Sequence, residues 1–156
     1  MELYKVGEVL GKGGFGVVYA GTRFVEGKEV AIKHVARGKV VEWASLGGRR
    51  VPLELKLLHA VQAVKGVLRL FDFFERNDSF IYVMERPSDC KDLFDYITEG
   101  QSRKFFFQIT SSIVACHKRG VVHRDIKDEN ILIDWNTLEI KLIDFGSGTF
   151  LSCSNC

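Results

Sequence analysis

The sequence carries almost no excess of either charge. Its 22 lysines and arginines face 20 aspartates and glutamates, a net charge of +2 over 156 residues. A nucleic-acid binder would show a basic stripe. The densest basic run here, "HKRG" followed by "HRDIK", is short and mixed with acid, so no nucleic-acid partner is expected. No apolar run approaches the roughly 18 residues that span a bilayer, and no N-terminal stretch has the form of a secretory leader. No membrane partner is expected, and the cytoplasm, with the nucleus beside it, is the expected location. Cysteine is sparse: Cys90, Cys116, Cys153 and Cys156. The last two form a C-x-x-C pair, but a structural zinc site needs four ligands and normally a second such pair. A reduced tail is the plainer reading. Repeats and low-complexity segments are absent.

What is present fits one globular domain. Hydrophobic residues make up 46% of the chain and twelve are phenylalanine, which is enough for a real core. The first half reads as strands. "YKVGEVLGKG" runs into glycines, "GVVYAGTRF" resumes, and "KEVAIKHV" follows a turn at Glu26-Gly27-Lys28, an antiparallel meander. Residues 43–48 read as an irregular loop and Pro52 as the first turn of a helix. Leu53, Leu57, Leu58 and Val61 then recur at helical spacing, with Gly66 as the stop. "VLRLFDFFER" and "SFIYVME" make a further strand pair around Asn77-Asp78. Beyond Pro87, "DCKDLFDYITEG" reads as a short amphipathic helix and "RKFFFQITSSIVACHKRG" as a longer one. Phe106, Ile109, Ile113 and Cys116 share one face of the longer helix, and Gly120 ends it. Short strands "NILID" and "EIKLIDF" flank a turn at Trp135-Asn136.

The stretch "GKGGFGVV", residues 11–18, fits G-x-G-x-x-G-x-V. A dinucleotide-binding fingerprint shares the glycines but leads into a helix, whereas Val17, Val18 and Tyr19 continue here as strand. That context suits a hairpin laid over nucleotide phosphates, with glycines letting backbone N–H groups approach the oxygens. An ordinary glycine-rich hairpin is the alternative. No G-K-[ST] follows, so this is not a P-loop. Lys33, in "VAIKHV", shares a strand face with Ala31. Burying an unpaired charge costs on the order of several kcal/mol; a phosphate and the Glu54 carboxylate in the following helix would offset it. An edge-strand lysine is the alternative.

The strongest signal is "VVHRDIKDENILI", which contains H-R-D-x-x-x-x-N from His123 to Asn130. Phosphoryl transfer to a hydroxyl needs a carboxylate to accept the proton, here Asp125, and an amide oxygen to hold Mg²⁺, here Asn130. Lys127 can offset charge on the moving phosphate. His123 reads as an internal hydrogen-bonding brace. Asp144 follows nineteen residues after Asp125 in "LIDFGSG" and would supply the main Mg²⁺ carboxylate, Gly146 permitting the sharp turn after it. Four ordered motifs together read as an ATP-dependent protein kinase site.

With those motifs in place, the chain resembles the eukaryotic protein kinases, most closely the Pim serine/threonine kinases. The stretches that carry the resemblance are "LGKGGFGVVYAG", "VAIKHV", "RVPLELKLL", "FERNDSFIYVMERP", "DLFDYITE", "HRDIKDENILID" and "LEIKLIDFGSG". The resemblance implies an α+β, protein-kinase-like fold: a complete five-stranded N-lobe with one helix (residues 1–85), then a truncated, mainly helical C-lobe (86–148). It implies ATP and Mg²⁺ as cofactors. Leu10, Val18, Ala31, Met84 and Leu132 match the apolar walls around adenine. Gly11, Gly13 and Gly16 belong to the glycine loop, with Phe15 at its tip. The hinge would be Glu85-Arg86-Pro87; Pro87 lacks an N–H, so adenine would bond through the Glu85 carbonyl alone. Lys127 implies Ser/Thr as the acceptor, and Asp92, Asp95 and Glu129 match acidic positions that favour arginines before it. Protein or peptide substrates with basic residues near Ser/Thr are the implied partners.

Two departures from the family pattern stand out. The stretch between "DYITE" and "FFFQI" is about six residues shorter than is usual in the Pim family, a comparison of lengths that bears on how the helix begins. The tail 149–156, "TFLSCSNC", has no kinase character, and the chain stops soon after Asp-Phe-Gly. The "FFFQITSSIV" helix is then expected to expose an apolar face open to partners or to self-association. An active Ser/Thr kinase and an inactive fragment that binds nucleotide weakly or binds partners are the two readings this leaves.

Overall fold

A computed structural model describes residues 3–87, 90–92 and 99–151. The described residues fall into two compact units, one from Met1–Pro52 and Arg69–Ser88, the other from Leu53–Leu68 and Asp89–Cys156.

The first unit is built on strands β1 (Tyr4–Gly13), β2 (Gly16–Arg23), β3 (Glu29–Ala36), β4 (Trp43–Leu46), β5 (Arg49–Pro52), β6 (Leu70–Glu75) and β7 (Ser79–Glu85). Five of them form one antiparallel sheet in the order β1-β2-β3-β7-β6. Alternation divides the sheet into two faces. Val30, Ile32, Ile81 and Val83 pack with Tyr4 into a core flanked by Tyr19, Phe71 and Phe74. On the opposite face, Val18 stands across from Lys33 and Ala31 across from Met84, since residues in register share a side. The Tyr4 hydroxyl donates to the Asp72 carboxylate. Burial, and then that bond, push the phenol up to about 12.

The stretch expected as an irregular loop is a hairpin. Leu46 pairs with Arg49 across Gly47 and Gly48, both at positive φ (56° and 77°), as a tight two-residue turn of matching twist requires. Pro52 closes β5 opposite Trp43 instead of opening a helix. Trp43 meets Phe80 edge-on at 5.8 Å, which anchors the hairpin to the sheet.

The second unit holds α1 (Leu53–Val61), β8 (Cys90–Asp92), α2 (Glu99–Lys118), β9 (Val121–Val122), β10 (Ile131–Asp134), β11 (Glu139–Leu142) and β12 (Thr149–Phe150). In α1 the buried set is Leu55, Leu57, Leu58 and Val61, joined by Glu54. Cys90–Asp92, expected as helix, is a strand that pairs antiparallel with β10; the rest of that expected helix, residues 93–98, lies outside the described residues. So do Cys153 and Cys156.

Helix α2 starts at Glu99, four positions before the expected Arg103. Its buried line is Phe105, Ser112 and Cys116, at the i, i+7, i+11 spacing of one helix face. Phe106 does not belong to it: Phe106 and its neighbour Phe107 are each 72% exposed. Burial raises the Cys116 thiol to about 11, so this cysteine is an inert core residue. Gly120, at φ 73°, ends the helix with its N–H on the His117 carbonyl at 2.8 Å. Strands β11, β10 and β8 form a three-stranded sheet, and β12 pairs with β9. No helix among the described residues is long and apolar enough to cross a membrane.

Candidate active site

In the first unit, β1 and β2 close at Gly13 and Gly16, leaving Gly14 and Phe15 as the turn. The glycines have different reasons to be there. Gly16 sits at φ 148°, and a Cβ on it would lie 2.3 Å from the His34 carbonyl oxygen. The fold itself demands glycine at this point. A Cβ on Gly11, Gly13 or Gly14 would meet no atom within 4 Å, so packing gives no reason for glycine there. Phe15 folds back until its ring lies 5.9 Å from Lys33 Nζ. Lys33 is buried on the same sheet face as Val18, Ala31 and Met84. Leu10, on β1, is 45% exposed. At the end of β7 the Glu85 N–H donates to the Arg69 carbonyl at 2.8 Å, and Arg86 faces Glu29 at 3.7 Å.

The second unit brings the catalytic-loop residues together. Asn130, buried in a short 3-10 turn (Asp128–Asn130), donates its amide to the Asp125 carbonyl oxygen at 2.8 Å and to Asp125 Oδ2 at 2.9 Å. Lys127 Nζ stands 3.4 Å from the same Oδ2 and 3.1 Å from Glu129 Oε2. Glu129, and then Asp125, hold the Lys127 pKa above its ordinary value, which keeps the ammonium charged. The buried His123 ring accepts the Asp125 N–H at Nδ1 (3.3 Å). Its Nε2 therefore carries the proton and donates to the Ile143 carbonyl at 2.8 Å. The ring also meets Phe145 at 4.5 Å, tilted by 56°, and Phe145 is fully buried. His123 is thus a brace between the catalytic loop and the Asp-Phe-Gly turn.

Asp144 opens the turn Phe145–Ser147 in a left-handed conformation (φ 59°, ψ 78°), its carboxylate accepting the Gly146 N–H. Arg124 is also left-handed, at φ 66°, and its Nε donates to the Ser147 carbonyl at 2.7 Å. Such backbone costs about 1–3 kcal/mol per residue and persists where its surroundings hold it. The Ile143 N–H donates to the Asn130 carbonyl at 3.0 Å, tying the segment before Asp144 to Asn130. Asn130 commits its side-chain amide hydrogens to Asp125, so its side-chain Oδ1 is the atom left for a cation. An amide oxygen and a carboxylate are the hard donors that Mg²⁺ prefers. No group of three or more His, Cys, Asp or Glu able to hold a metal occurs among the described residues. Two protein donors suit an ion that keeps its waters and shares substrate phosphates, so the residues fit.

The remaining expected positions are described each within its own unit. Glu54 is buried in the first turn of α1, and Leu132 lies on β10 across from Asp92 and Lys141; both belong to the second unit, Lys33 to the first. Asp95 lies outside the described residues. The Arg124 strain and the tilted His123–Phe145 ring contact went unassigned in the sequence, although H-R-D names both loop residues. Gln108 and Ser112, which brace α2 against distant backbone, carry no local signal.

The comparisons with known proteins show the family. The protein kinase domain family matches residues 4–156, and the chain belongs to that family. It is 42% identical to serine/threonine-protein kinase pim-2 of Danio rerio, over 97% of this chain and 54% of that protein. It is 44% identical to serine/threonine-protein kinase prk-2 of Caenorhabditis elegans, over 95% of this chain and 35% of that protein. NUAK family SNF1-like kinase 1 of Homo sapiens is 36% identical over 92% of this chain and 22% of its own length. The chain therefore spans about half or less of the relatives it matches.

Proposed function

We propose that this chain carries the site of a Pim-like serine/threonine protein kinase, which transfers the γ-phosphate of ATP to Ser/Thr hydroxyls preceded by arginines. The observation that supports this best is the Asp125–Lys127–Asn130 cluster. Asn130 and Lys127 both contact Oδ2 of Asp125, which turns Oδ1 toward an incoming hydroxyl as proton acceptor. Lys127, held charged by its two carboxylates, faces the phosphate in transit. Asn130 and Asp144 would hold Mg²⁺, which neutralises phosphate charge when bound.

The other assignments rest on the motifs. Backbone N–H groups at Gly11, Gly13 and Gly16 cradle the phosphates, and Phe15 caps them. Lys33 holds phosphate oxygens and Glu54 orients Lys33. Leu10, Val18, Ala31, Met84 and Leu132 enclose adenine, with the Glu85 carbonyl as its acceptor. Asp92, Asp95 and Glu129 read the arginines of the substrate. Residues 1–85 would form the nucleotide lobe and 86–148 the substrate side, in a cytoplasmic or nuclear protein.

The exposed Phe106 and Phe107 on α2 favour a second reading, a nucleotide-binding chain that acts through partners without turnover. Incubation with Mg-ATP and three peptides separates the readings: serine after arginines, tyrosine after arginines, and serine after glutamates. Phosphorylation of the first alone supports the kinase reading. Nucleotide binding with no phosphopeptide supports the second.

A further inference from the structure

Helix α2 and the β10–β11 turn enclose a groove of about 860 Å³. The groove shares no residue with the catalytic loop or the Asp-Phe-Gly turn. Its walls are cross-braced. Gln108 donates through Nε2 to the Leu138 carbonyl at 3.0 Å and accepts the Ile140 N–H at 3.1 Å. Ser112 Oγ donates to the Lys65 carbonyl at 3.0 Å. That contact needs Gly66, where a Cβ would lie 2.1 Å from Ser112 Oγ. A groove fixed by bonds on both walls is preformed for a ligand.

Its chemistry is apolar below and basic at the rim. Phe107, 72% exposed, lines it with Leu138 and Ile140. Three cations border it, Lys65, Arg103 and Lys104, against one carboxylate, Glu139. Glu139 is taken by Lys65 at 2.8 Å, which holds its carboxyl below the usual range. Arg103 and Lys104 have no ion pair among the described residues. The surface therefore offers an aromatic anchor point beside two positive charges that have no ion pair among the described residues.

We propose that this groove docks an acidic segment of a partner protein, with a bulky apolar residue seated on Phe107 and Leu138 and flanking Asp or Glu side chains on Arg103 and Lys104. Charge complementarity sets the choice of occupant. It also separates this partner from the arginine-rich peptides proposed as substrates, which the rim would repel. The docking reading stands whether or not the chain transfers phosphate.

The test uses the whole chain and two short fluorescein-labelled peptides, one with a Leu-Phe pair among aspartates and glutamates, the other with lysines in place of the acids. Fluorescence anisotropy should show the acidic peptide binding at least about tenfold tighter, with the preference shrinking as salt rises. Arg103→Glu with Lys104→Glu should abolish the preference, and Phe107→Ser should weaken the acidic peptide about tenfold. Arg103→Gln with Lys104→Gln gives a milder pair should the reversal not fold, and circular dichroism reports folding for each. Equal binding of the two peptides, or a preference that survives removal of both cations, overturns the proposal. So does concentration-dependent self-association by analytical ultracentrifugation that disappears in Phe107→Ser, because the occupant would then be a second copy.

Discussion

The glycine hairpin and the catalytic loop are built in opposite ways. At the hairpin there are no side chains at three positions: Gly11, Gly13 and Gly14 look onto open space, which leaves the backbone uncovered. At the catalytic loop, side chains are bound to one another: Asn130 and Lys127 to Asp125, Lys127 to Glu129, His123 to the backbone on both sides. Backbone donors can follow a phosphate only where no Cβ intervenes. A proton acceptor must stay within hydrogen-bond reach of its target, which demands a fixed side chain. Substitutions should accordingly act through binding at one place and through turnover at the other.

The largest expected effect is at the loop. Asp125→Ala should lower kcat by about 10²–10⁴-fold, the usual contribution of a positioned proton acceptor, with the far-UV circular dichroism spectrum unchanged. A kcat within a few-fold of the parent would remove Asp125 from the chemistry. Within the hairpin, two glycines should part ways. Gly16→Ala places a methyl against the His34 carbonyl at a positive φ and should cost at least about 1–3 kcal/mol of stability, read by urea unfolding. Gly13→Ala meets no atom, so it should leave unfolding unchanged and raise the KM for ATP. Equal destabilisation by both would break the distinction.

Smaller effects lie away from the site. Ser112→Ala removes the bond to the Lys65 carbonyl and should cost about 0.5–1.5 kcal/mol in the same urea experiment. The smallest is alkaline. Tyr4 holds its proton more tightly when folded, since its pKa rises from 10.0 to about 12. The stability this contributes is whole below pH 10 and falls away as pH climbs through 12. Thermal melts at stepped pH should show that extra loss in the parent and not in Tyr4→Phe. An identical pH profile for the two would count against the Tyr4–Asp72 bond.

What could be read from the chain follows how local each signal is. The five-stranded sheet was legible because alternation and charged turns mark each strand. Hairpin β4–β5 was passed over although Gly47-Gly48 between short runs signals one; Pro52 drew the segment toward the helix. Strand β8 has three residues and one partner far along the chain, β10, so nothing local marks it. Three consecutive phenylalanines blurred the phase of α2, because periodicity cannot choose among Phe105, Phe106 and Phe107. The loop residues, and the bracing role of His123, were legible by motif. The partners of the braces were not, because His123–Ile143 in the loop and Ser112–Lys65 on α2 join segments that only the fold brings together.

The most direct measurement is transfer of labelled γ-phosphate from Mg-ATP to a serine peptide preceded by arginines, with the parent chain beside Asp144→Asn. Transfer by the parent that vanishes in the variant is the predicted result. Folded, soluble parent chain that binds nucleotide and transfers nothing would contradict the kinase reading and leave the catalytic loop as an assembled but idle frame.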